Sequence, residues 1–130
     1  MEINITNQSL RVLTVDDSPI VSESLGTLLG ELQSINWVGH AFNLSEAHIQ
    51  IIEKAPEVVI LDINMKEESG FDLLEFLAEK HPEIELMMFT NMSYLPYRKK
   101  SFELGAKYFL DKSTEFEKIP EVLNQILTNK

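Results

Sequence analysis

The sequence predicts an α/β domain in which five parallel strands form one sheet and helices cover both of its faces. Five short apolar runs alternate along the chain with five segments whose apolar residues recur at helical spacing. Right-handed connections between parallel strands would distribute the helices over the two faces. The chain has 130 residues, of which 44% are hydrophobic, and this suits a single domain, residues 1–130, with one packed core.

The predicted strands are short and mostly apolar. The run at Val58–Leu61 has no polar residue, which is typical of a strand that is buried on both faces. In chain order, the predicted strands are Leu10–Val15, Ile35–Phe42, Glu57–Leu61, Ile84–Phe89 and Lys107–Leu110.

Helices one and two are predicted from their boundaries and their periodicity. Pro19 lies near the first helical position, where a missing N–H costs little. The apolar positions of helix one are Ile20, Val21, Leu25, Leu28, Leu29 and Leu32. Helix two is predicted at Leu44–Lys54 and ends before Pro56. Its expected inward-facing residues are Ala47, Ile51 and Ile52.

Helices three and four are separated by the fourth strand. Helix three is predicted at Phe71–Lys80, after a charged loop from Lys66 to Gly70. Ser93 is the expected N-cap of helix four, and Pro96 lies in its first turn, where proline is tolerated. Gly105 is expected to end that helix.

Helix five is predicted to have two parts. Thr114 and Glu117 have the spacing of a capping box, and Pro120 interrupts a single continuous helix. We expect one turn at Thr114–Lys118 and the main helix from Ile119 to Leu127.

The candidate functional residues are polar and follow four of the strands. Asp16 and Asp17 follow the first strand, and Asp62 follows the third. Thr90 follows the fourth strand and Lys112 the fifth. The carboxyl ends of parallel strands lie along one edge of an open α/β sheet, where ligands bind. Three carboxylates, a hydroxyl and an ammonium would converge there, a set that can hold a divalent metal ion and receive a phosphoryl group.

Charge and composition argue against several other functions. The formal net charge of −10 should repel nucleic acid and anionic membranes. The absence of cysteine excludes disulfides and cysteine nucleophiles. No apolar run approaches the roughly 20 residues that span a bilayer, and the polar lead-in Met1–Ser9 lacks a signal-peptide core, so we expect a cytoplasmic protein. The spacing of His40, His48 and His81 does not indicate a metal site.

Four motifs occur together in the order and spacing of one protein family. They are Val15-Asp16-Asp17-Ser18, Asp62-Ile63-Asn64-Met65 through Ser69-Gly70, Thr90, and the segment from Gly105 to Lys112. Jointly they resemble the receiver domain of two-component response regulators of the chemotaxis type, over nearly the whole chain from about Leu10. The resemblance implies the sheet order 2-1-3-4-5 of the flavodoxin-like fold.

The resemblance implies that Asp62 is the phosphoacceptor, since a carboxylate can attack phosphorus and form an acyl phosphate. It also implies a Mg²⁺ ion, with Mn²⁺ as an alternative. Asp17, Asp62 and the backbone carbonyl of Asn64 would bind the ion directly, and Asp16 would contact it through water. The simpler alternative for Asp17 is that it caps helix one.

Thr90 and Lys112 would bind the phosphoryl group. The resemblance implies that the Thr90 hydroxyl donates to one phosphoryl oxygen and that the Lys112 ammonium contacts another. Thr90 and Phe109 also hold the family's conformational switch positions. The alternatives are a β-branched strand end for Thr90, a solvated lysine for Lys112 and an ordinary core aromatic for Phe109.

Three residues depart from the family pattern. Lys66 stands where the family often has proline, and Asn91 stands where it usually has a small residue. Ser113 replaces a proline that often follows a cis bond, so that bond is expected to be trans here. None of the three removes a chemical group from the predicted site.

We therefore expect a single-domain response regulator, because no output domain follows helix five. It would take its phosphoryl group from a sensor histidine kinase or a phosphotransfer protein. Its own catalysis would be limited to self-phosphorylation and autodephosphorylation. A downstream protein would bind the face at Tyr94–Leu110, because tyrosine and arginine are common at interfaces. The basic and aromatic residues there are Tyr94, Tyr97, Arg98, Lys99 and Lys100.

Two other functions are alternatives to this one. The first is a receiver-like adaptor that is not phosphorylated. The second is a phosphohydrolase with an aspartyl nucleophile, similar to the haloacid dehalogenase superfamily. That superfamily places a second aspartate two residues after its nucleophile, and Asn64 holds that position here.

Overall fold

The computed structural model describes residues 9–130, so the predicted lead-in lies outside the described residues except for Ser9. The strands are β1 Leu10–Val15, β2 Ile35–Ala41, β3 Val58–Leu61, β4 Asn64–Met65, β5 Glu68–Ser69, β6 Glu85–Thr90 and β7 Tyr108–Asp111. The helices are α1 Pro19–Gly30, α2 Leu44–Lys54, α3 Gly70–Lys80, α4 Leu95–Glu103 and α5 Ile119–Thr128, and a 3₁₀ turn at Phe116–Lys118 precedes α5. None of the helices within residues 9–130 is long and apolar enough to cross a membrane.

Five of the strands form one parallel sheet in the order β2-β1-β3-β6-β7. Counted without the two short strands β4 and β5, this is the order 2-1-3-4-5, so the predicted topology is confirmed. In the register of the sheet, Val15 lies opposite Leu61, which in turn lies opposite Met88. The strands β1, β3 and β6 therefore end close together, and the polar residues at or just after their ends meet at one edge.

Apolar side chains fill both sides of the sheet. Helices α1 and α5 cover one face, where Leu29 and Leu123 are buried against the strands. Helices α2 and α3 cover the other face, where Ile51 and Leu74 are buried. Every residue of Val58–Leu61 is buried, as predicted for a strand that is covered on both sides.

The loop after β3 is more regular than predicted. Instead of an irregular charged loop, β4 and β5 form a two-stranded antiparallel hairpin, in which Asn64 pairs with Ser69 and Met65 with Glu68. Lys66 in its turn has a left-handed backbone with φ of 51°. The usual sequence signal for such a turn is glycine or asparagine, which the turn lacks.

The prediction that Ile52 faces inward was wrong. Its side chain is 80% exposed, whereas Ile51 is 4% exposed. Successive residues of an α-helix are about 100° apart around its axis. Two adjacent residues therefore cannot both point at the centre of the sheet, and Ile51 takes that position.

Two predicted helix caps were also wrong. Tyr94, not Ser93, is the N-cap of α4 and makes no side-chain cap bond. The capping box at Thr114 does not form, because no side chain caps the 3₁₀ turn and the Glu115 carboxylate instead accepts from the backbone N–H of Asp111 at 2.8 Å. The predicted Pro96 in the first turn of α4 is confirmed.

Candidate functional site

The lysine after β7 joins the two buried aspartates at the carboxyl edge of the sheet. The Nζ atom of Lys112 donates to Oδ2 of Asp16 at 2.7 Å and to Oδ2 of Asp62 at 2.9 Å. The side chain of Lys112 is 13% exposed. Burial alone would lower the pKa of Lys112, but the two carboxylates outweigh it and raise the pKa above its ordinary value. The ammonium therefore stays charged between them.

Asp62 is held at the end of β3 by the backbone around it. It is buried, and its Oδ1 accepts from the N–H of Ile63 at 2.7 Å. The N–H of Gly70 donates to the carbonyl of Ile63 at 2.6 Å, which brings the start of α3 against this peptide. A Cβ atom at Gly70 would collide with the carbonyl oxygen of Asp62, so this close approach requires glycine.

Asp16 is the most deeply buried acid of the site. Its Oδ1 accepts from the N–H of Ser18 at 2.9 Å, and its side chain is 3% exposed. Burial raises the pKa of the Asp16 carboxyl above its ordinary value, and the Lys112 ammonium opposes this only in part. Asp62, which is also negative, contributes to the same rise. The Lys112 ammonium therefore does not fully offset the cost of burying the Asp16 carboxylate.

The backbone of Asp16 is fixed by a hydrogen-bond network that crosses β1 and β2. His40 Nε2 lies 2.8 Å from the carbonyl oxygen of Asp16, and His40 Nδ1 lies 2.6 Å from the hydroxyl of Thr14. The indole N–H of Trp37 donates to the same hydroxyl at 3.0 Å. Burial lowers the pKa of His40, so the neutral ring fits here as a structural residue, as expected for a histidine outside a metal site.

Asp17 does not cap helix α1. The N-cap is Ser18, whose hydroxyl accepts from the N–H of Val21 at 3.3 Å. Within residues 9–130, the carboxylate of Asp17 makes no hydrogen bond or ion pair with the other three site residues named above. The capping alternative is therefore wrong, and Asp17 stands half-buried beside Asp16.

Thr90 is the last residue of β6 and is fully buried. Its Oγ1 accepts from the N–H of Met92 at 3.0 Å, and a hydroxyl that accepts one bond can still donate its own proton. The N–H of Lys112 donates to the carbonyl of Thr90 at 2.9 Å, so the two predicted phosphoryl-binding residues lie on directly bonded strand ends.

Phe109 and Asn64, the two remaining predicted site residues, differ in burial. Phe109 is 5% exposed and belongs to the buried cluster beneath α2 and α3, and the Arg98 guanidinium lies 4.7 Å from its ring centroid. Its packing thus matches the core alternative, while its switch role stays a prediction. Asn64 is exposed in β4.

Asp111 was missed by the sequence analysis. It is the last residue of β7, directly before Lys112, and its carboxylate bonds Ser113 in the loop that follows. The hydroxyls of Ser113 and Ser93 lower its pKa to about 2, and Ser113 Oγ donates to Asp111 Oδ1 at 2.6 Å. The peptide bond before Ser113 is trans, as predicted.

The donor set suits a hard divalent cation. No three acidic or histidine side chains within residues 9–130 converge closely enough to hold a metal ion by themselves. Two carboxylates with a backbone carbonyl and water can nevertheless provide the oxygen ligands that Mg²⁺ prefers. Lys112 brings one positive charge to the two carboxyl groups of Asp16 and Asp62, and this charge count favours a further cation at this edge.

The chain belongs to the response regulator receiver domain family, whose model matches residues 12–124. Curated relatives include the sensory transduction protein LytT of Enterococcus faecalis, which is 34% identical over 116 residues. The sensory transduction protein LytT of Bacillus subtilis is 32% identical over 117 residues. Each alignment covers 89% of this chain and 47% of the relative, so the chain spans about half the length of these curated relatives.

Solved structures agree with this assignment. The response regulator domain of Thermotoga maritima CheB has 28% sequence identity and a TM-score of 0.79, with 92% of this chain and 94% of that chain covered. A LuxR-family response regulator from Aurantimonas has 24% identity and a TM-score of 0.86, with 95% and 88% covered, and at this identity it shows the fold alone. Receiver domains are signalling modules that are generally phosphorylated.

Proposed function

We propose that the chain accepts a phosphoryl group on Asp62 from a phosphohistidine of a sensor histidine kinase or a phosphotransfer protein. An oxygen of the Asp62 carboxylate attacks phosphorus while the bond from phosphorus to the histidine nitrogen breaks. The electron pair of that bond stays on the nitrogen, which then takes up a proton. The product is an acyl phosphate on Asp62. Membership of the receiver family supports this, because receiver domains generally interact with histidine kinases and downstream effectors.

The observation that carries the proposal is the position of the Lys112 ammonium. It lies 2.9 Å from an oxygen of Asp62 and also contacts Asp16. A phosphoryl group on Asp62 would place its oxygens within reach of the same ammonium. A fixed positive charge at the point where negative charge develops lowers the barrier without reorganisation during the reaction. We assign to Lys112 the binding of one phosphoryl oxygen and to the Thr90 hydroxyl the donation to another.

We assign the metal site to Asp17, Asp62 and the backbone carbonyl of Asn64, with Asp16 in contact through water. Mg²⁺ is the proposed ion, with Mn²⁺ as an alternative. The ion would offset the repulsion between Asp62 and the incoming phosphoryl dianion. The charge balance at Asp16 and Asp62 supports this assignment, because the two carboxylates share one ammonium.

The test is phosphorylation by acetyl phosphate in the presence of Mg²⁺, measured as intact mass. We expect the wild-type chain to gain one phosphoryl group and Asp62→Asn to gain none. The matched control is Asp72→Asn, which changes an exposed aspartate in the first turn of α3 and should be phosphorylated like the wild type. An adduct that persists in Asp62→Asn, or a wild-type chain that forms none with any phosphodonor, would refute the proposal.

We further propose that the signal leaves through Tyr94–Leu110 to a downstream protein. Tyr94 and Leu95 expose 67% and 74% of their surface, and within Leu95–Glu103 Ser101 is the one buried residue. Helix α4 is thus loosely packed, and local stability is low where few apolar contacts are buried. Arg98 over the ring of Phe109 supports a link from this helix to the switch position.

Amide hydrogen exchange on the same protein tests this route. Beryllofluoride with Mg²⁺ serves as the acyl-phosphate mimic, because bound ligand can bias an existing two-state equilibrium. We expect exchange to change within Tyr94–Leu110 as well as beside Asp62. Changes confined to the hairpin after Asp62 would contradict this route while leaving the phosphoacceptor assignment intact. The single-domain mode of action and the cytoplasmic location stay predictions of the sequence.

A further inference from the structure

The hairpin that follows Asp62 is tied to a distant helix through Glu68. Oε1 of Glu68 accepts from the backbone N–H of Leu44 at 3.0 Å, although the two residues are 24 positions apart in the sequence. Leu44 is the first residue of α2, and its neighbour Asn43 caps the N–H of Glu46. The first amides of a helix have no partner within the helix. Glu68 therefore satisfies one amide that Asn43 leaves open.

This contact is well suited to hold the hairpin in place. Glu68 is paired with Met65, and Met65 is 1% exposed. A carboxylate at a helix N-terminus is stabilised by the helix dipole, and a hydrogen bond to an ionised acceptor is stronger than a neutral one. The hairpin thus has one apolar anchor in the core and one ionic anchor on α2.

The turn of the hairpin has no comparable support. Lys66 and Glu67 are both exposed, and within residues 9–130 neither side chain makes a hydrogen bond or an ion pair. The left-handed backbone of Lys66, with φ of 51°, is unfavourable for a residue with a Cβ atom. The geometry of the hairpin therefore depends on its anchors and not on its turn.

We propose that Glu68 is a positioning residue for the metal site, acting through Asn64. Asn64 is paired with Ser69, the residue after Glu68, so the anchor on α2 sets where the backbone of Asn64 lies relative to Asp62. This inference rests on the proposed function, in which the Asn64 carbonyl is a ligand of Mg²⁺. Groups that orient metal ligands without touching the ion affect metal affinity strongly.

The experiment measures the melting temperature as a function of Mg²⁺ concentration, because an ion that binds the folded state raises it. Four chains are compared: wild type, Glu68→Ala, Glu68→Gln and Glu67→Ala. We expect Glu68→Ala to raise the half-saturating Mg²⁺ concentration by about ten-fold. Glu68→Gln keeps an acceptor for the Leu44 amide and should recover most of that loss. Glu67→Ala removes the adjacent, unbonded carboxylate and should match the wild type.

Hydrogen exchange at the Leu44 amide confirms that the intended bond was removed. It should be faster in Glu68→Ala than in Glu67→Ala. Glu68→Ala could lower the melting temperature without Mg²⁺ and leave the half-saturating Mg²⁺ concentration unchanged. Glu68 would then act only as a helix cap, and the inference would be overturned. Equal Mg²⁺ responses of Glu68→Ala and Glu67→Ala overturn it as well, while the wild-type response leaves the proposed function standing. A wild-type chain with no Mg²⁺ response overturns both.

Discussion

The two edges of the sheet each carry a cluster of ion pairs, and the ratio of cations to carboxylates is opposite in the two clusters. At the carboxyl edge, one lysine forms ion pairs with two carboxylates, because Lys112 contacts both Asp16 and Asp62. At the amino edge, one carboxylate, that of Glu57, lies beside two cations. Glu57 lies 3.6 Å from the Arg11 guanidinium and 3.0 Å from the Lys130 ammonium.

The two edges also differ in burial. The carboxylates at the carboxyl edge are 3% and 8% exposed, whereas the side chains of Arg11, Glu57 and Lys130 are 44%, 27% and 36% exposed. Exposed ion pairs are screened by water and contribute little, while buried charges must be compensated. The amino edge is therefore a compensated structural contact, and the carboxyl edge keeps negative charge that a further cation can neutralise.

The largest expected difference between the edges follows from removing one lysine at each. Lys112→Met leaves two buried carboxylates without a cation and should lower the free energy of unfolding by about 3 to 5 kcal/mol. Lys130→Met, at the exposed edge, should cost less than about 1 kcal/mol. Urea unfolding followed by fluorescence of the single tryptophan, Trp37, measures both. Similar losses would show that burial does not separate the two edges.

The second prediction compares two glycines. Gly70→Ala forces a Cβ atom against the Asp62 carbonyl and should lower the free energy of unfolding by about 1 to 3 kcal/mol. Gly30 ends α1 in open space, so Gly30→Ala should raise it by up to about 1 kcal/mol. Thermal unfolding of both variants, with phosphorylation of each by acetyl phosphate, checks this. A stable Gly70→Ala chain that is phosphorylated normally would contradict the close approach at Asp62.

The smallest expected effect concerns stability at acid pH. As the pH falls, protonation of Asp16 at the carboxyl edge and of Glu57 at the amino edge should change the free energy of unfolding in opposite directions. Burial raises the pKa of Asp16 above 3.8, so the folded chain binds this proton before the unfolded chain does as the pH falls, and folding is favoured. Burial alone would also raise the pKa of Glu57, but the Arg11 N–H and the Lys130 ammonium outweigh it and hold that pKa below 4.5. The stabilisation from Glu57 is present above pH 4.5 and is lost as the pH falls through its folded-state pKa.

The variant Glu57→Gln isolates the amino edge. It should be less stable than the wild type by under about 1 kcal/mol near neutral pH, and this difference should shrink toward about pH 3. Urea unfolding at a series of pH values measures it. A difference that grows as the pH falls would reverse the sign assigned to Glu57.

Much of the fold was predictable because local patterns and tertiary structure agree. The range Leu44–Lys54 was predicted to the residue, since apolar periodicity and a following proline both mark it. The position of Ile52 was not predictable, because periodicity alone does not say which of two adjacent apolar residues lies over the sheet. The hairpin at Asn64–Ser69 was missed because each strand has two residues and its left-handed residue is a lysine.

The candidate site was predictable as a set of residues but not as a set of contacts. Strand ends in a parallel sheet bring Asp16, Asp62 and Lys112 to one edge whatever their side chains do. That Lys112 bonds both carboxylates depends on side-chain conformations that no sequence pattern encodes. The bond from Glu68 to α2 joins the hairpin to the first residue of a helix that it meets through the fold alone, so the sequence carries no signal for it.

The sequence separation between Lys112 and the two carboxylates also has a consequence for the time at which the site forms. Lys112 is 96 residues from Asp16 and 50 from Asp62 in the sequence. Contacts between such distant residues form late, because closing a long loop costs conformational entropy before the contact repays it. A nascent or partly folded chain in which β7 has not yet docked on β6 holds both carboxylates without their ammonium. We therefore expect the complete set of site residues to form only when β7 pairs with β6 and the sheet is complete.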